Sequence, residues 1–137
     1  MVYITRREHF NAAHRLFQPD FSEAENLHVF GKCSNPNWHG HNYILHVTVK
    51  GHVNPDTGFV VNLKELSQLI RHRVIDKLDH KNINLEVDFM VGRLASTENL
   101  AIAIWEELES GILDLGGTLH SIKVEETENN SVIYYGA

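Results

Sequence analysis

The stretch His39-Gly40-His41-Asn42-Tyr43-Ile44-Leu45-His46-Val47-Thr48-Val49-Lys50 alternates with a period of two. It predicts a long β-strand with His39, His41, Leu45, Val47 and Val49 on one face. Upstream, residues 2 to 16 alternate well enough for a second long strand, on which Phe10, Ala12 and His14 share a face and the small alanines allow close approach of a neighbour. Residues 17 to 38 between them are expected to form a loop, long for a compact domain and therefore functional. Downstream, Asn54-Pro55-Asp56-Thr57-Gly58 is a turn, and Asn62 with Glu65 resembles a capping box opening a helix striped by Leu63, Leu66, Ile70 and Val74. A second helix is expected from Ser96 or Thr97, with Glu98 in its first turn, through Leu100, Ile104 and Leu108 to a stop near Ser110-Gly111. Residues 118 to 126 then alternate, with His120, Ile122, Val124 and Glu126 on one face, before a turn at Thr127 to Asn130 and a last strand from Ser131 to Tyr135.

The resulting order is β-β-α-α-β-β, an α+β domain in which two helices cover one face of a four-stranded antiparallel sheet. Such a sheet has exposed edges, which predicts strand-to-strand assembly between subunits. At 137 residues the chain fits a single domain, residues 1–137, able to bury a core without disulfides or a structural metal. One cysteine excludes an intrachain disulfide, the N-terminus lacks the apolar run of a signal peptide, and no stretch is long enough to span a bilayer, so a cytoplasmic location is expected. A net charge of -6 argues against nucleic acid as a partner and towards small molecules.

His14, His39 and His41 are candidate zinc ligands. In Asn37-Trp38-His39-Gly40-His41-Asn42-Tyr43 the two imidazoles project from the same face, and Gly40 is expected to leave the space between them open. Three neutral imidazoles keep the ion's full charge and leave a fourth position for water or substrate, whereas structural zinc takes four protein ligands, often thiolates. Ten histidines make chance pairs common, and His9, His28, His46, His52, His72 and His120 lack a partner at a telling spacing.

Three further places carry chemistry. In Asp79-His80 the aspartate can orient the imidazole for proton transfer, although such dipeptides are ordinary at helix ends. Glu126 continues the inward face of Val124, where a carboxylate can take two parallel N–H donors of an amino-pyrimidinone edge; it also reads as a solvated hairpin-end acid beside Glu125 and Glu128. Cys33 lies in the polar turn Gly31-Lys32-Cys33-Ser34-Asn35-Pro36, which would not bury it, and a nearby cation would favour its thiolate.

Taken together, Phe10-Asn11-Ala12-Ala13-His14-Arg15-Leu16, the run from Cys33 to Tyr43, Leu78-Asp79-His80-Lys81-Asn82, Ser96-Thr97-Glu98-Asn99 and Glu126-Thr127-Glu128-Asn129-Asn130 resemble the 6-pyruvoyl-tetrahydropterin synthase family of tunnelling-fold proteins. The resemblance implies zinc on His14, His39 and His41, Cys33 as catalytic base, Asp79 and His80 as a second proton-transfer pair, and Glu126 as pterin anchor, with Thr97 and Glu98 near the pterin pocket. It implies 7,8-dihydroneopterin triphosphate as substrate, losing triphosphate while its hydroxyl carbons are oxidised internally to ketones, with magnesium assisting the triphosphate. It also implies a hexamer built from two trimers, with active sites between subunits. Arg15, Lys32 and Lys81 are candidates for phosphate contact, in the absence of any Walker-type loop.

The nearest rival is 6-carboxytetrahydropterin synthase of the queuosine pathway, which shares fold, substrate and zinc site but expels acetaldehyde. Five residues between Cys33 and His39 resemble the pyruvoyl enzyme, whereas the rival typically has three. A non-catalytic zinc-dependent pterin binder would have no need of the Cys33 thiolate, and a cupin-like metal protein would show many short strands and no central helix pair.

Overall fold

The computed structural model describes residues 1–137. In chain order the elements are β1 (Val2–His14), α1 (Glu23–Phe30), a 3₁₀ turn (Gly31–Ser34), β2 (His39–Gly51), α2 (Leu63–Ile70), a π-helical segment (Arg71–Ile75), α3 (Asp76–Leu78), β3 (Lys81–Asn82), α4 (Ile83–Glu86), a second 3₁₀ turn (Asp88–Met90), α5 (Thr97–Asp114), β4 (Thr118–Glu125) and β5 (Ser131–Tyr134). The class is α+β, and the sheet has five strands in the order β3-β1-β2-β4-β5 rather than the expected four. The additional strand, β3, is two residues long and runs parallel to β1 at Ala12 and Ala13, too short to leave a periodic signal.

The two long strands pair antiparallel without a slip, from Val2 opposite Gly51 to His14 opposite His39. Their alternation sends Phe10, Tyr43, Leu45, Val47 and Val49 into the core, where they meet Leu66, Ile70, Val74, Leu100, Ile104 and Leu108 from the helices on that face. β4 lies on the other side of β2, and there the register shifts: Thr48 faces Ser121 while Val49 faces Leu119. This bulge leaves His120 unpaired, so Leu119 and Ile122 are both buried and His120 instead meets the rings of Tyr3 and Tyr135. The expected common face of His120, Ile122, Val124 and Glu126 therefore begins only at Ile122.

Three helical expectations are also corrected. Residues 17 to 38 contain α1, opened by a capping box in which Glu25 N–H donates to Ser22 Oγ (3.1 Å) and Ser22 N–H to the Glu25 carboxylate (3.3 Å). Its single buried residue is Asn26, so no apolar stripe announced it. In α2 the cap is Asn62 alone, accepting from Lys64 and Glu65 N–H, and Leu63 is 54 % exposed, outside the stripe that Leu66, Ile70 and Val74 complete. α5 continues through Gly111 to Asp114, because Gly111 serves close packing: a Cβ there would stand 2.8 Å from Leu69 Cδ1. No helix is long and apolar enough to cross a membrane.

Candidate active site

The register of β1 on β2 sets Ala12 opposite His41 and His14 opposite His39, so three imidazoles converge at the closed end of the ladder. Their candidate ligand atoms lie within 4.8 Å of one another, and the ring centroids are 4.5 to 5.1 Å apart. Gly40 lies on the opposite face of β2, so it does not open the space between its neighbours as expected; its missing side chain lies near the Ala12 carbonyl oxygen, which a Cβ would approach to 3.4 Å. The turn Asn35-Pro36-Asn37-Trp38 aims His39, with Trp38 N–H bonded to the Asn35 carbonyl and Trp38 held at φ +69°.

His14 is 1 % exposed, and its Nδ1 bonds the Ala95 carbonyl at 2.7 Å. A carbonyl can only accept, so Nδ1 carries the proton and Nε2 presents its lone pair to the cluster. Burial lowers the pKa of His14, and the neighbouring imidazoles add to this, against the raising effects of the Ala95 carbonyl and Glu126. His39 is lowered likewise, first by burial and then by His41. His14 Nε2, both ring nitrogens of His39, and His41 Nε2 are buried without a hydrogen-bond partner in the protein. One unpartnered nitrogen from each of the three neutral imidazoles fits a borderline cation such as zinc, which would take one lone pair per ring.

Glu126 follows β4 and is turned inward. Its N–H donates to the Asn130 carbonyl, and Thr127 Oγ1 accepts from Asn129 and Asn130 N–H, closing the turn. The carboxylate comes within 3.8 Å of both His14 Nε2 and His41 Nε2, and accepts a hydrogen bond from the Thr97 hydroxyl at 2.5 Å. With His14 held neutral by burial, its approach to Glu126 is that of a carboxylate beside a prospective cation site rather than an ion pair. The solvated hairpin-end alternative is set aside by this inward placement. Thr97, Glu98 and Glu126 line one cavity of about 280 Å³ with Leu16 and Asn130.

Cys33 is half-buried within the 3₁₀ turn, contrary to the expectation of an open polar turn, and its carbonyl accepts Leu16 N–H at 2.8 Å. Asp79 and His80 sit at the β1–β3 edge, where His80 lines a cavity of about 510 Å³ with Asn11, Gly40, His41 and Lys81. Asp79 accepts from Asn11 N–H (2.9 Å) and lies 3.0 Å from His80 Nδ1, and these contacts, the backbone one first, lower its pKa. His80 is held at φ +61° with its side chain 77 % exposed. Neither residue bonds to the three imidazoles, Glu126 or Thr97 within the chain.

Two contributors were not singled out from the sequence. Ala95 acts through its backbone carbonyl, which leaves no residue signature. Tyr43 shares the face of His39 and His41 and is 0 % exposed, with a hydroxyl lacking any partner in the protein. Burial pushes its pKa up, and the charges of Glu126 and Cys33 push in the same direction. The spacing 39, 41, 43 was the available signal.

A sequence model of the family described as 6-pyruvoyl tetrahydropterin synthase matches residues 3–137. The 6-pyruvoyl tetrahydrobiopterin synthase of Homo sapiens is 44 % identical over 133 residues, covering 97 % of this chain and 90 % of that one. The synthase of the same name from Dictyostelium discoideum is 44 % identical over 135 residues, covering 98 % and 96 %. The solved structure of the Caenorhabditis elegans 6-pyruvoyl tetrahydropterin synthase superposes with a TM-score of 0.92 at 38 % identity, covering 99 % of this chain and 96 % of that one. The chain thus has the tunnelling fold and belongs to the 6-pyruvoyl tetrahydropterin synthase family, as an enzyme of the lyase class acting in tetrahydropterin biosynthesis.

Proposed function

We propose that the chain converts 7,8-dihydroneopterin triphosphate to 6-pyruvoyl-tetrahydropterin, with elimination of triphosphate, using zinc held by His14, His39 and His41. The observation that carries this reading is the approach of the Glu126 carboxylate to His14 and His41, both at 3.8 Å, which brings a carboxylate suited to a pterin edge beside a group of candidate metal ligands. Zinc bound there would polarise the side-chain oxygens and acidify the adjacent C–H bonds.

The chain's own residues supply the rest. Glu126, fixed by the Thr97 hydroxyl, accepts the two N–H donors of the amino-pyrimidinone edge, and Glu98 borders the same cavity. Cys33 takes a proton from the side-chain carbon as base. Asp79, kept ionised by Asn11 N–H, accepts the Nδ1 proton of His80 and leaves Nε2 to exchange protons. The exposed Asp79–His80 pair makes no bond to the three imidazoles within one chain, which supports sites completed between subunits of a homohexamer, a dimer of trimers. The edge of β1 from Val2 to Phe10, beyond the part covered by β3 and by Asp79 and His80, supports such strand-to-strand assembly. Arg15, whose Nε donates to the Ser34 carbonyl (2.8 Å), lines a cavity of about 520 Å³ with Lys32, a setting suited to the triphosphate and its magnesium. The cytoplasm is the proposed location.

The test is incubation of zinc-loaded protein with 7,8-dihydroneopterin triphosphate, without added reductant, followed by mass spectrometry. A pterin retaining a three-carbon diketone side chain is expected. A 6-carboxypterin with acetaldehyde would move the chain to the queuosine-type reaction, and unchanged substrate would point to a binder.

A further inference from the structure

We propose that Tyr43 is a substrate-contacting residue whose phenol O–H donates a hydrogen bond to an oxygen on the side chain of the bound pterin. The inference rests on the reading above that this cavity takes a pterin with an oxygenated side chain. Tyr43 stacks on Phe10 with ring centroids 4.9 Å apart at 11°, and both residues are 0 % exposed. That packing needs only the ring, and a phenylalanine would supply it without burying a hydroxyl.

The hydroxyl has no partner within the protein, and the other buried side-chain atoms in that condition are all imidazole nitrogens. An unmade hydrogen bond at a buried O–H is unfavourable, so the site is built for an occupant that brings the acceptor. Position identifies the occupant. The ring lies edge-on to His41 and His14, at 5.6 and 6.1 Å, and Tyr43 precedes Ile44, whose partner across β2 and β4 is Glu125, so it stands beside Glu126. It thus belongs to the region beside the proposed pterin anchor and the candidate metal ligands, where the side chain of a pterin held by Glu126 and reaching the metal has to lie. A hydroxyl or carbonyl oxygen there accepts the bond, whereas a pterin with a plain methyl group offers nothing.

The test compares Tyr43→Phe with the unmodified zinc-loaded protein, by fluorescence titration with 7,8-dihydroneopterin and with 6-methyl-7,8-dihydropterin. The variant is expected to bind the dihydroneopterin about tenfold more weakly and the methyl compound equally well. Its zinc content should be unchanged, and the melting temperature of the ligand-free protein unchanged or higher, because an unpartnered group has been removed. Equal affinities for dihydroneopterin, or equal losses for both compounds, would overturn the inference. So would a lower ligand-free melting temperature or failure to fold, since either means that the hydroxyl already has a partner inside the protein. If the unmodified protein binds neither pterin, the reading of the cavity fails and this inference with it; if it binds both and Tyr43→Phe matches it, only the role of Tyr43 fails.

Discussion

Thr97 Oγ1 donates to Glu126 Oε2 across 2.5 Å, tying the first residue of α5 to the residue that follows β4. This bond fixes one carboxylate oxygen, and with it the plane of the Glu126 carboxylate. Thr97→Val keeps the shape and removes the donor. On the proposed reading it should weaken pterin binding roughly tenfold while leaving the melting temperature within a few degrees. Glu126→Gln, which replaces an acceptor pair with one acceptor and one donor, should cost more, about 100-fold. Titration of both variants checks the order; a Thr97→Val protein that binds like the unmodified one would show that Glu126 is held by its turn alone.

The metal cluster makes a prediction that does not depend on turnover. Metal removal should lower the melting temperature and restored zinc should raise it, because ligands that bind only the folded state stabilise it by mass action. His39→Ala should abolish that rise and reduce zinc from about one per chain to near none by elemental mass spectrometry. The metal-free variant should be no less stable than the metal-free parent, since His39 has two buried nitrogens without a partner. His14→Ala should lose metal as well, but also stability, because it gives up the bond to the Ala95 carbonyl.

Legibility in the sequence followed periodicity. β1 and β2 were readable because alternation over 13 residues each has one buried face, and that same alternation carried His14, His39 and His41 to a common side. β3 and α1 were not, the one being two residues long and the other burying only Asn26. The His120 phase error came from a single bulge residue, which reverses facing without altering composition. At the site, residue types pointed to the three histidines that could hold a metal and to the inward Glu126. The link from Thr97 to Glu126 spans 29 positions, and the Ala95 carbonyl is common to every residue type, so neither had a local signature.

Protonation should weaken the metal-free fold on the acid side of neutrality. His14 and His39 have pKa values lowered below 6.5 in the folded state, so between those values and 6.5 the unfolded chain binds more protons than the folded one. Their contribution is fully present above 6.5 and is lost as pH falls through the folded values. The melting temperature of metal-free protein should therefore drop from about pH 7.5 to 5.5, and His39→Asn should flatten that slope. A slope unchanged by the substitution would place the titrating groups elsewhere.

Asp79 obeys the same sign in a lower window. Its pKa is depressed from 3.8, chiefly by Asn11 N–H, so its stabilisation is complete above that value and is lost as pH falls through the depressed one. The side chain is 38 % exposed, and solvent screening keeps the effect small. Asp79→Asn can still accept from Asn11, so the two proteins should differ most near neutrality and converge in strong acid. Acid-unfolding curves followed by circular dichroism measure this; parallel curves down to about pH 2 would remove Asp79 from the acid limb.

Gly111 tests the contact that sets α5 against α2. Alanine in a helix interior is favoured over glycine by about 1 kcal/mol, so an exposed position would gain from the change. Here the new Cβ would stand 2.8 Å from Leu69 Cδ1 and 3.0 Å from Cδ2, inside contact distance, and Leu69 has to turn away from a packed groove. Such overpacking costs about 1–3 kcal/mol, so Gly111→Ala should show a net loss of about 1 kcal/mol by denaturant titration. In a Leu69→Ala background the obstruction is gone, and the same change should become stabilising by up to about 1 kcal/mol. A substitution whose effect is the same in both backgrounds would mean that Leu69 does not fill the space beside Gly111 in solution, and that the helix pair packs through Leu66, Ile70 and Leu108 alone.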